Sequence, residues 1–252
     1  ITGSVSFYKN SKKVLIIGAG LIGSEYANDL AAGGFAIEAV DPLSGPIATL
    51  LPPKASAAVQ HALERECGVH YHFGTVVEAI DKKGDGIIAT LANGQKVEAD
   101  IALSAIGMRP RIGLARQSGI AVNRGITVNR HLETSAPDVY AFGDCAEVEG
   151  HVLYYVLPLM ACARALAKTL HGDRTAVVYG PMPVGVKVTV CPIQVSPPAR
   201  GATGEWHEEV VEGDSVRALF QDPEGKLLGF ALTGKCAEEK MKLAKELPAI
   251  LE

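Results

Sequence analysis

The sequence has few cysteines, no excess of basic charge and no long apolar run. Its five cysteines are far apart and include no C-x-x-C pair, so we predict no metal site and reduced thiols typical of the cytoplasm. The net charge of −4 argues against nucleic acid as a partner. The longest strongly apolar stretch, Val152 to Ala163, contains Pro158 and is too short to span a bilayer, so we predict no membrane partner.

The length of 252 residues corresponds to one or two domains, at about 150 residues per domain. Changes in the sequence pattern indicate finer boundaries, the last of them near the start of a proline-rich segment. We predict a domain over residues 1–110, a segment over residues 111–174 and a small α+β domain over residues 175–252.

The clearest local pattern is an apolar run at Val14–Ile17 followed at once by the glycine turn GAGLIG at residues 18–23. Helical periodicity then predicts a helix over residues 24–32, and a second strand over residues 36–40 ends on Asp41. This order predicts a β-α-β unit in a parallel sheet. The candidate cofactor-binding residues of the turn are Gly18, Gly20, Leu21, Ile22 and Gly23.

A G-x-G-x-x-G turn between a strand and a helix, with an acidic residue 23 positions after the first glycine, indicates dinucleotide binding. Gly18 permits the tight turn, Gly20 lets a pyrophosphate approach the backbone, and Gly23 lets the helix pack closely on the strand. Asp41 would accept hydrogen bonds from the adenine ribose and repel a 2′-phosphate, which favours NADH over NADPH. Two alternatives stay open: the glycines serve packing only, and Asp41 is a solvated loop residue.

The rest of the chain alternates short apolar runs with turn signals and two further amphipathic stretches. We predict strands over residues 69–73, 101–106, 126–128, 138–142, 184–190, 216–221 and 227–233, a β-meander over 76–97, and helices over 54–65, 159–170 and 237–245.

Together with the glycine turn, the run TSAPDVYAFGDCA at residues 134–146 resembles the second flavin motif of the two-dinucleotide-binding-domain flavoprotein reductases. The resemblance implies that Gly143 and Asp144 bind FAD, with Asp144 holding the ribityl chain. Gly107, in the segment GMRP, is similar to the link that follows the NAD domain in this family. Glu25 matches the position whose carboxylate helps to place the nicotinamide, although a solvated glutamate in a first helical turn is the alternative.

The resemblance implies an α/β fold with a Rossmann-like three-layer NAD-binding domain, the C-terminal part of an FAD-binding domain and a small α+β domain. The missing C-x-x-C argues against the thioredoxin-reductase branch, and the missing His-Pro and Glu acid/base pair argues against the glutathione-reductase branch. The segments 157–167, 179–184 and 191–198 are similar to those of the rubredoxin-reducing members. Because the family opens with a separate flavin motif upstream of the NAD motif, we expect the chain to be a C-terminal portion.

The implied activity is that of an enzyme in which NADH reduces FAD and the flavin passes electrons singly to rubredoxin, with no catalytic side chain. A helix starting near Pro158 would aim free N–H groups, that of Leu159 among them, at the flavin ring. Lys187 would add positive charge there, or else it is an exposed strand lysine. We predict a cytoplasmic monomer with FAD and NAD(H) as cofactors. Four lysines are candidates for a patch that steers the acidic partner, or else form a solvated helix face: Lys235, Lys240, Lys242 and Lys245.

Two other functions remain open from the sequence. One is a reductase of the same family whose acceptor is a ferredoxin, a flavorubredoxin or a nitric-oxide-reducing partner. The other is an NAD-binding module that holds no flavin and catalyses nothing.

Overall fold

The computed structural model describes residues 12–252, which form two compact units. The first unit contains the described residues up to Gly107 together with Pro183–Leu247. The second contains Met108–Met182 and Pro248–Glu252. Residues 1–11 of the predicted domain 1–110 lie outside the described part, and the predicted boundaries near 110 and 174 stay a prediction. No helix among residues 12–252 is long and apolar enough to cross a membrane.

The first unit is built on a four-stranded parallel sheet with the strand order β3-β2-β1-β7. Its strands are β1 (Lys13–Ile17), β2 (Ala36–Asp41), β3 (His70–Phe73) and β7 (Ile101–Ser104), and its helices are α1 (Leu21–Ala32) and α2 (Pro53–Cys67). The predicted β-α-β unit and the α/β fold class are confirmed. Helix α1 starts three residues earlier than predicted, because Ser24 N–H already donates to Gly20 O at 2.9 Å.

A three-stranded antiparallel meander covers the second face of this sheet. It consists of β4 (Val77–Lys83), β5 (Gly86–Leu91) and β6 (Lys96–Ala99). Side chains alternate along β1, so Leu15 packs against the meander while Val14 and Ile16 pack in the core that contains α1 and α2. The layer order is therefore helices, parallel sheet and meander.

The C-terminal part of the first unit is a five-stranded antiparallel sheet with the order β10-β11-β14-β13-β12. Its strands are β10 (Val184–Val186), β11 (Ile193–Ser196), β12 (Glu205–Glu212), β13 (Ser215–Gln221) and β14 (Leu227–Thr233), followed by a 3₁₀ helix (Gly234–Glu239) and α5 (Lys240–Leu243). The sheet shares one core with α2, in which Val59 and Leu63 belong to the same cluster as Ile193 and Ala218.

Three predictions about this sheet need correction. The predicted strand 184–190 ends at Val186, because Val188 N–H turns back to donate to Val186 O at 3.0 Å. Strands β11 and β12 were not predicted, and the eight residues of β12 include four glutamates, which are depleted in strands. The predicted helix 237–245 is a 3₁₀ helix followed by a four-residue α-helix.

The second unit contains a parallel pair of short strands, β8 (Ile126–Val128) and β9 (Ala146–Val148), with α3 (Gly113–Gln117) and α4 (Val156–Leu170). The predicted strand at 138–142 is wrong. Asp138 has φ 59° and Val139 N–H donates to Ala136 O, so the chain turns where an extended strand was expected. Only an isolated bridge from Tyr140 to Glu133 remains there.

Candidate functional site

The three glycines of the turn have different structural roles. Gly18 has φ +101°, and a Cβ atom there would lie 2.5 Å from Ala105 O. A Cβ on Gly23 would lie 1.8 Å from Gly18 O, so only glycine allows α1 to approach β1 this closely. At Gly20 a Cβ would meet nothing within 4 Å. Packing therefore explains Gly18 and Gly23, but it does not explain Gly20.

The first turn of α1 presents backbone donors next to this open space. Gly20 is the N-cap residue and has no side chain to cap the helix. The N–H groups of Leu21, Ile22 and Gly23 precede the first N–H that can bond within the helix. The Ile22 side chain is half exposed, and the Leu21 side chain packs against the core. The helix dipole and these donors favour an anion at this position.

The carboxylate of Asp41 is tied to the same turn. Its Oδ2 accepts a hydrogen bond from Ala19 N–H at 2.7 Å, and its Oδ1 accepts one from Leu43 N–H at 2.8 Å. The residue is only 8 % exposed. Each carboxylate oxygen has a second lone pair, so both can also accept bonds from hydroxyl groups. The structure thus brings Asp41 to the glycine turn, as the sequence predicts.

Glu25 and Lys187 are neighbours, but through the backbone of Lys187. Glu25 Oε1 accepts a hydrogen bond from Lys187 N–H at 2.8 Å, while the lysine residue is exposed. One turn further along α1, the buried Asn28 accepts bonds from both Thr189 N–H and Thr189 Oγ1 at 3.0 Å. The segment after β10 is thereby fixed to α1. Gly107 is exposed with φ +96° at the end of the first stretch of this unit.

In the second unit the structure brings together the predicted flavin residues Gly143 and Leu159. Gly143 has φ +81°, and a Cβ there would lie 3.1 Å from Leu159 Cδ1. Asp144, the next residue, is exposed. The prediction about the Leu159 N–H needs correction, because α4 begins at Val156 and this N–H lies 3.4 Å from Tyr155 O. The N–H donors at the start of this helix belong instead to Val156 and Leu157.

All five cysteines are free thiols. Burial raises the pKa of Cys191 to about 11, and burial also raises the pKa of Cys162. Thiols with raised pKa values are poor nucleophiles at neutral pH. Cys162 and Cys191 are therefore weak nucleophiles, and the five cysteines form no disulfide with one another.

The four candidate lysines are not equivalent. Lys235 Nζ pairs with Glu212 Oε2 at 2.7 Å, so part of its charge is compensated. Lys242 and Lys245 are exposed, and Lys240 is partly exposed. Met241, between two of them, is 68 % exposed. This short stretch combines positive charge with an apolar side chain.

Two carboxylates that join the C-terminal sheet to α2 were missed by the sequence analysis. Glu208 Oε2 accepts bonds from Lys54 N–H at 2.7 Å and Ala55 N–H at 3.1 Å, which caps a helix whose own N-cap residue is a proline. His207 is exposed, but Glu208 is not. No local signal exists for such a contact, because the partners are 154 residues apart.

Asp214 makes the second of these contacts. Its Oδ1 lies 2.7 Å from His61 Nδ1, and its Oδ2 lies 2.8 Å from Arg65 Nη2. Burial by itself would raise the pKa of the Asp214 carboxyl, but the bonds from His61 and Arg65 outweigh burial and hold that pKa below its usual value.

Comparisons with known proteins give consistent matches. Residues 2–188 match the family described as pyridine nucleotide-disulphide oxidoreductase, and residues 176–247 match the one described as rubredoxin binding C-terminal domain. The rubredoxin-NAD(+) reductase of Alcanivorax borkumensis is 52 % identical over 244 residues, which cover 96 % of this chain and 63 % of that protein. A nitric oxide reductase FlRd-NAD(+) reductase of Citrobacter koseri is 36 % identical over 241 residues, with the same coverage of 96 % and 63 %.

Among solved structures, the ferredoxin reductase for the CYP199A2 system from Rhodopseudomonas palustris is similar, with a TM-score of 0.83. It is 24 % identical, and the match covers 95 % of this chain and 61 % of that one. At this identity the likeness shows the fold alone. The chain spans about 63 % of the length of both the Alcanivorax borkumensis and the Citrobacter koseri relatives.

Proposed function

Because the chain belongs to the pyridine nucleotide-disulphide oxidoreductase family, we propose that it supplies NADH binding and acceptor docking to a flavoprotein reductase. Electrons from NADH would pass through FAD to a rubredoxin, one at a time. We further propose that the protein works in the cytoplasm and as a monomer. Size-exclusion chromatography with light scattering tests the monomer, and cell fractionation tests the location.

One observation carries the proposal: Gly20 faces open space, and packing does not require a glycine at this position. A side chain could occupy that space without any clash, so a glycine there makes sense if a cofactor phosphate comes close to the backbone. The N–H groups of Leu21 and Ile22 would bind the phosphates. Asp41 would accept bonds from the adenine ribose, and its negative charge would repel the 2′-phosphate of NADPH.

The second unit fits part of an FAD site. When bound, FAD supplies the conversion between a two-electron hydride and single electrons. Asp144, with an exposed carboxylate, would accept bonds from the ribityl hydroxyls. The N–H groups of Val156 and Leu157 would favour negative charge at the N-terminal end of α4. Glu25 would orient the nicotinamide, and Lys187 is the proposed source of positive charge for the flavin.

For the acceptor, we propose docking at the C-terminal stretch that contains Lys240 and Lys242. The match of residues 176–247 to a rubredoxin-binding domain supports docking on the C-terminal region that contains this stretch. The positive charges would steer an acidic partner, and the exposed Met241 would supply apolar contact.

The first experiment is the visible spectrum of the purified 252-residue chain, with and without added FAD, before and after NADH. A flavin band that NADH bleaches supports a reductase. NADH binding without any retained flavin would contradict the flavin half of the proposal for this chain and favour the NAD-binding module.

Acceptor docking is tested by charge reversal. In a preparation that reduces a dye, Lys240→Glu combined with Lys242→Glu should slow rubredoxin reduction about tenfold at low salt and flatten its salt dependence. The dye rate should stay unchanged. A matched control is Lys82→Glu, an exposed lysine on β4. Equal rubredoxin rates in both variants would refute docking at this stretch.

A second acceptor class remains a candidate because of the similarity to the nitric oxide reductase FlRd-NAD(+) reductase. Steady-state rates with purified rubredoxin, ferredoxin and flavorubredoxin at equal concentrations decide between them. A higher kcat/KM for flavorubredoxin than for rubredoxin would favour this alternative.

A further inference from the structure

Two histidines and one glutamate converge at the outer edge of the parallel sheet. His70 Nδ1 and His72 Nε2 both lie 2.7 Å from the same oxygen, Glu38 Oε2. Within residues 12–252, they form the one group of three His, Cys, Asp or Glu side chains whose ligand atoms all lie within 4.8 Å of one another.

The fold explains why these three side chains meet. Strand β3 has the sequence HYHF and pairs only with β2, so it is an edge strand. Alternate residues point to the same face, which places His70 and His72 together. Glu38 is the register partner of His70 on β2. Tyr71, between the histidines, points the other way and packs against the main core.

The contacts leave one carboxylate oxygen for a shared ligand. Lys13 Nζ lies 2.7 Å from Glu38 Oε1 and holds that oxygen. The second oxygen is approached by both imidazoles. The side chains of Glu38 and His72 are only 14 % and 12 % exposed, whereas that of His70 is 69 % exposed. Glu38 and His72 are therefore largely enclosed, and the group is open to solvent on the side of His70.

We propose that Glu38, His70 and His72 bind a divalent transition-metal ion, with Zn²⁺ as the cation of best fit. Two imidazoles and a carboxylate are a ligand set that suits zinc, and a water molecule would complete a tetrahedron. With metal–ligand distances of about 2.0–2.2 Å, tetrahedral ligand atoms lie about 3.3 Å apart. Each imidazole nitrogen must then move roughly half an ångström away from Glu38 Oε2. The exposed His70 has room for this movement, whereas His72 is held more closely.

The spacing of the cysteines predicts no metal site, and the local sequence gives only half of the signal for a histidine site. The spacing His-x-His on one strand is visible, but Glu38 lies 32 residues earlier and joins through the sheet register. The site shares no residue with the proposed NADH and flavin sites, so its test is independent of the test of the proposed function.

The test is a Zn²⁺ titration of the chelator-treated chain in competition with a chromophoric chelator. We expect one ion per chain, with affinity at least tenfold weaker in His70→Gln and in His72→Gln. The matched control is His61→Gln, because His61 is also an exposed histidine that contacts a carboxylate. Its affinity should equal that of the unsubstituted chain. Because His70 is largely exposed, His70→Gln should fold even if His72→Gln does not.

A second readout separates these ligands from the thiols. Cu²⁺ bound at the site should show nitrogen hyperfine coupling in its electron paramagnetic resonance spectrum, and His70→Gln should reduce it. Residues 1–11 contain neither histidine nor cysteine, so they supply neither an imidazole nor a thiolate ligand. Absence of saturable Zn²⁺ binding, or equal affinity in His70→Gln and His61→Gln, would overturn the proposal and leave an ordinary hydrogen-bonded cluster.

Discussion

Substituting Gly20 and Gly23 with alanine separates cofactor binding from packing within one turn. Gly20 has φ −71°, which any residue adopts, and its added methyl group meets no atom within 4 Å. Alanine is a poorer N-cap residue than glycine, but it also lowers the entropy of the unfolded chain, so Gly20→Ala should change the free energy of unfolding by less than about 1 kcal/mol. The same methyl would stand where we place the pyrophosphate. NADH affinity should fall at least about tenfold, which corresponds to about 1.4 kcal/mol.

Gly23→Ala should lower the stability of the fold, because its added methyl group has no room. Its Cβ would lie 1.8 Å from Gly18 O, whereas Cβ atoms essentially never come within 3.0 Å of a neighbour, so α1 and the turn must separate by more than 1 Å. The carbonyl is backbone, and Gly18 is also held by its N–H bond to Val40 O at 2.8 Å. We expect a loss near the upper end of overpacking costs, about 3 kcal/mol. In a unit of this size that lowers Tm by about 6–12 °C.

Two measurements on each variant decide the matter: thermal unfolding by circular dichroism, and NADH binding by fluorescence titration. Gly113→Ala is the matched control, because a Cβ at Gly113 also meets nothing within 4 Å and this glycine lies outside the turn. It should leave both quantities unchanged. An unchanged NADH affinity in Gly20→Ala would refute the dinucleotide assignment. An unchanged Tm in Gly23→Ala would refute the packing argument.

Three further substitutions test other contacts. Asp41→Ala should lower the ratio of NADH to NADPH affinity at least about tenfold, because the charge that repels the 2′-phosphate is gone. An equal ratio in the variant and the unsubstituted chain, measured by titration, would contradict this. Glu208→Ala should cost about 1–2 kcal/mol in urea unfolding through the lost helix cap, while His207→Ala should cost less than about 0.5 kcal/mol. Asp214→Asn should destabilise by about 1–3 kcal/mol at neutral pH. Because the native pKa of Asp214 is lowered, its contribution is present above the unfolded pKa of about 3.9 and disappears as pH falls through the native value. The urea midpoints of the two proteins should therefore converge as the pH falls through the lowered native pKa of Asp214, and a difference independent of pH would refute the ionic origin.

The features that the sequence predicts well are local ones. The glycine turn is set by steric conditions on neighbouring residues, and the apolar run before it is continuous because both faces of β1 are covered. The hairpin turns of the meander carry glycines at Gly84 and Gly94, both with positive φ. In each case the residue type and the required conformation belong to the same short segment.

The predicted strand at residues 138–142 is wrong because one residue changes the conformation of an apolar segment. Residues 138–142 have a strand-like composition, but Asp138 adopts the left-handed conformation and Phe142 is 41 % exposed. The prediction for β12 is wrong in the opposite direction, because no strand was predicted where one exists. Its glutamates disfavour a strand, yet its seven pairings with β13 impose one, and one of the glutamates caps a distant helix.

The candidate site depends equally on contacts that no motif contains. Helix α1 directs its first N–H groups at the place proposed for the phosphates, so anything that moves this helix moves the donors. Glu25 and Asn28 bind the segment that follows β10, through Lys187 N–H and Thr189. Asn28 is 2 % exposed, so loss of its partners would leave a buried amide oxygen unsatisfied. The C-terminal segment therefore helps to hold the glycine turn in position, and the proposed cofactor site depends on both the parallel sheet and the C-terminal sheet.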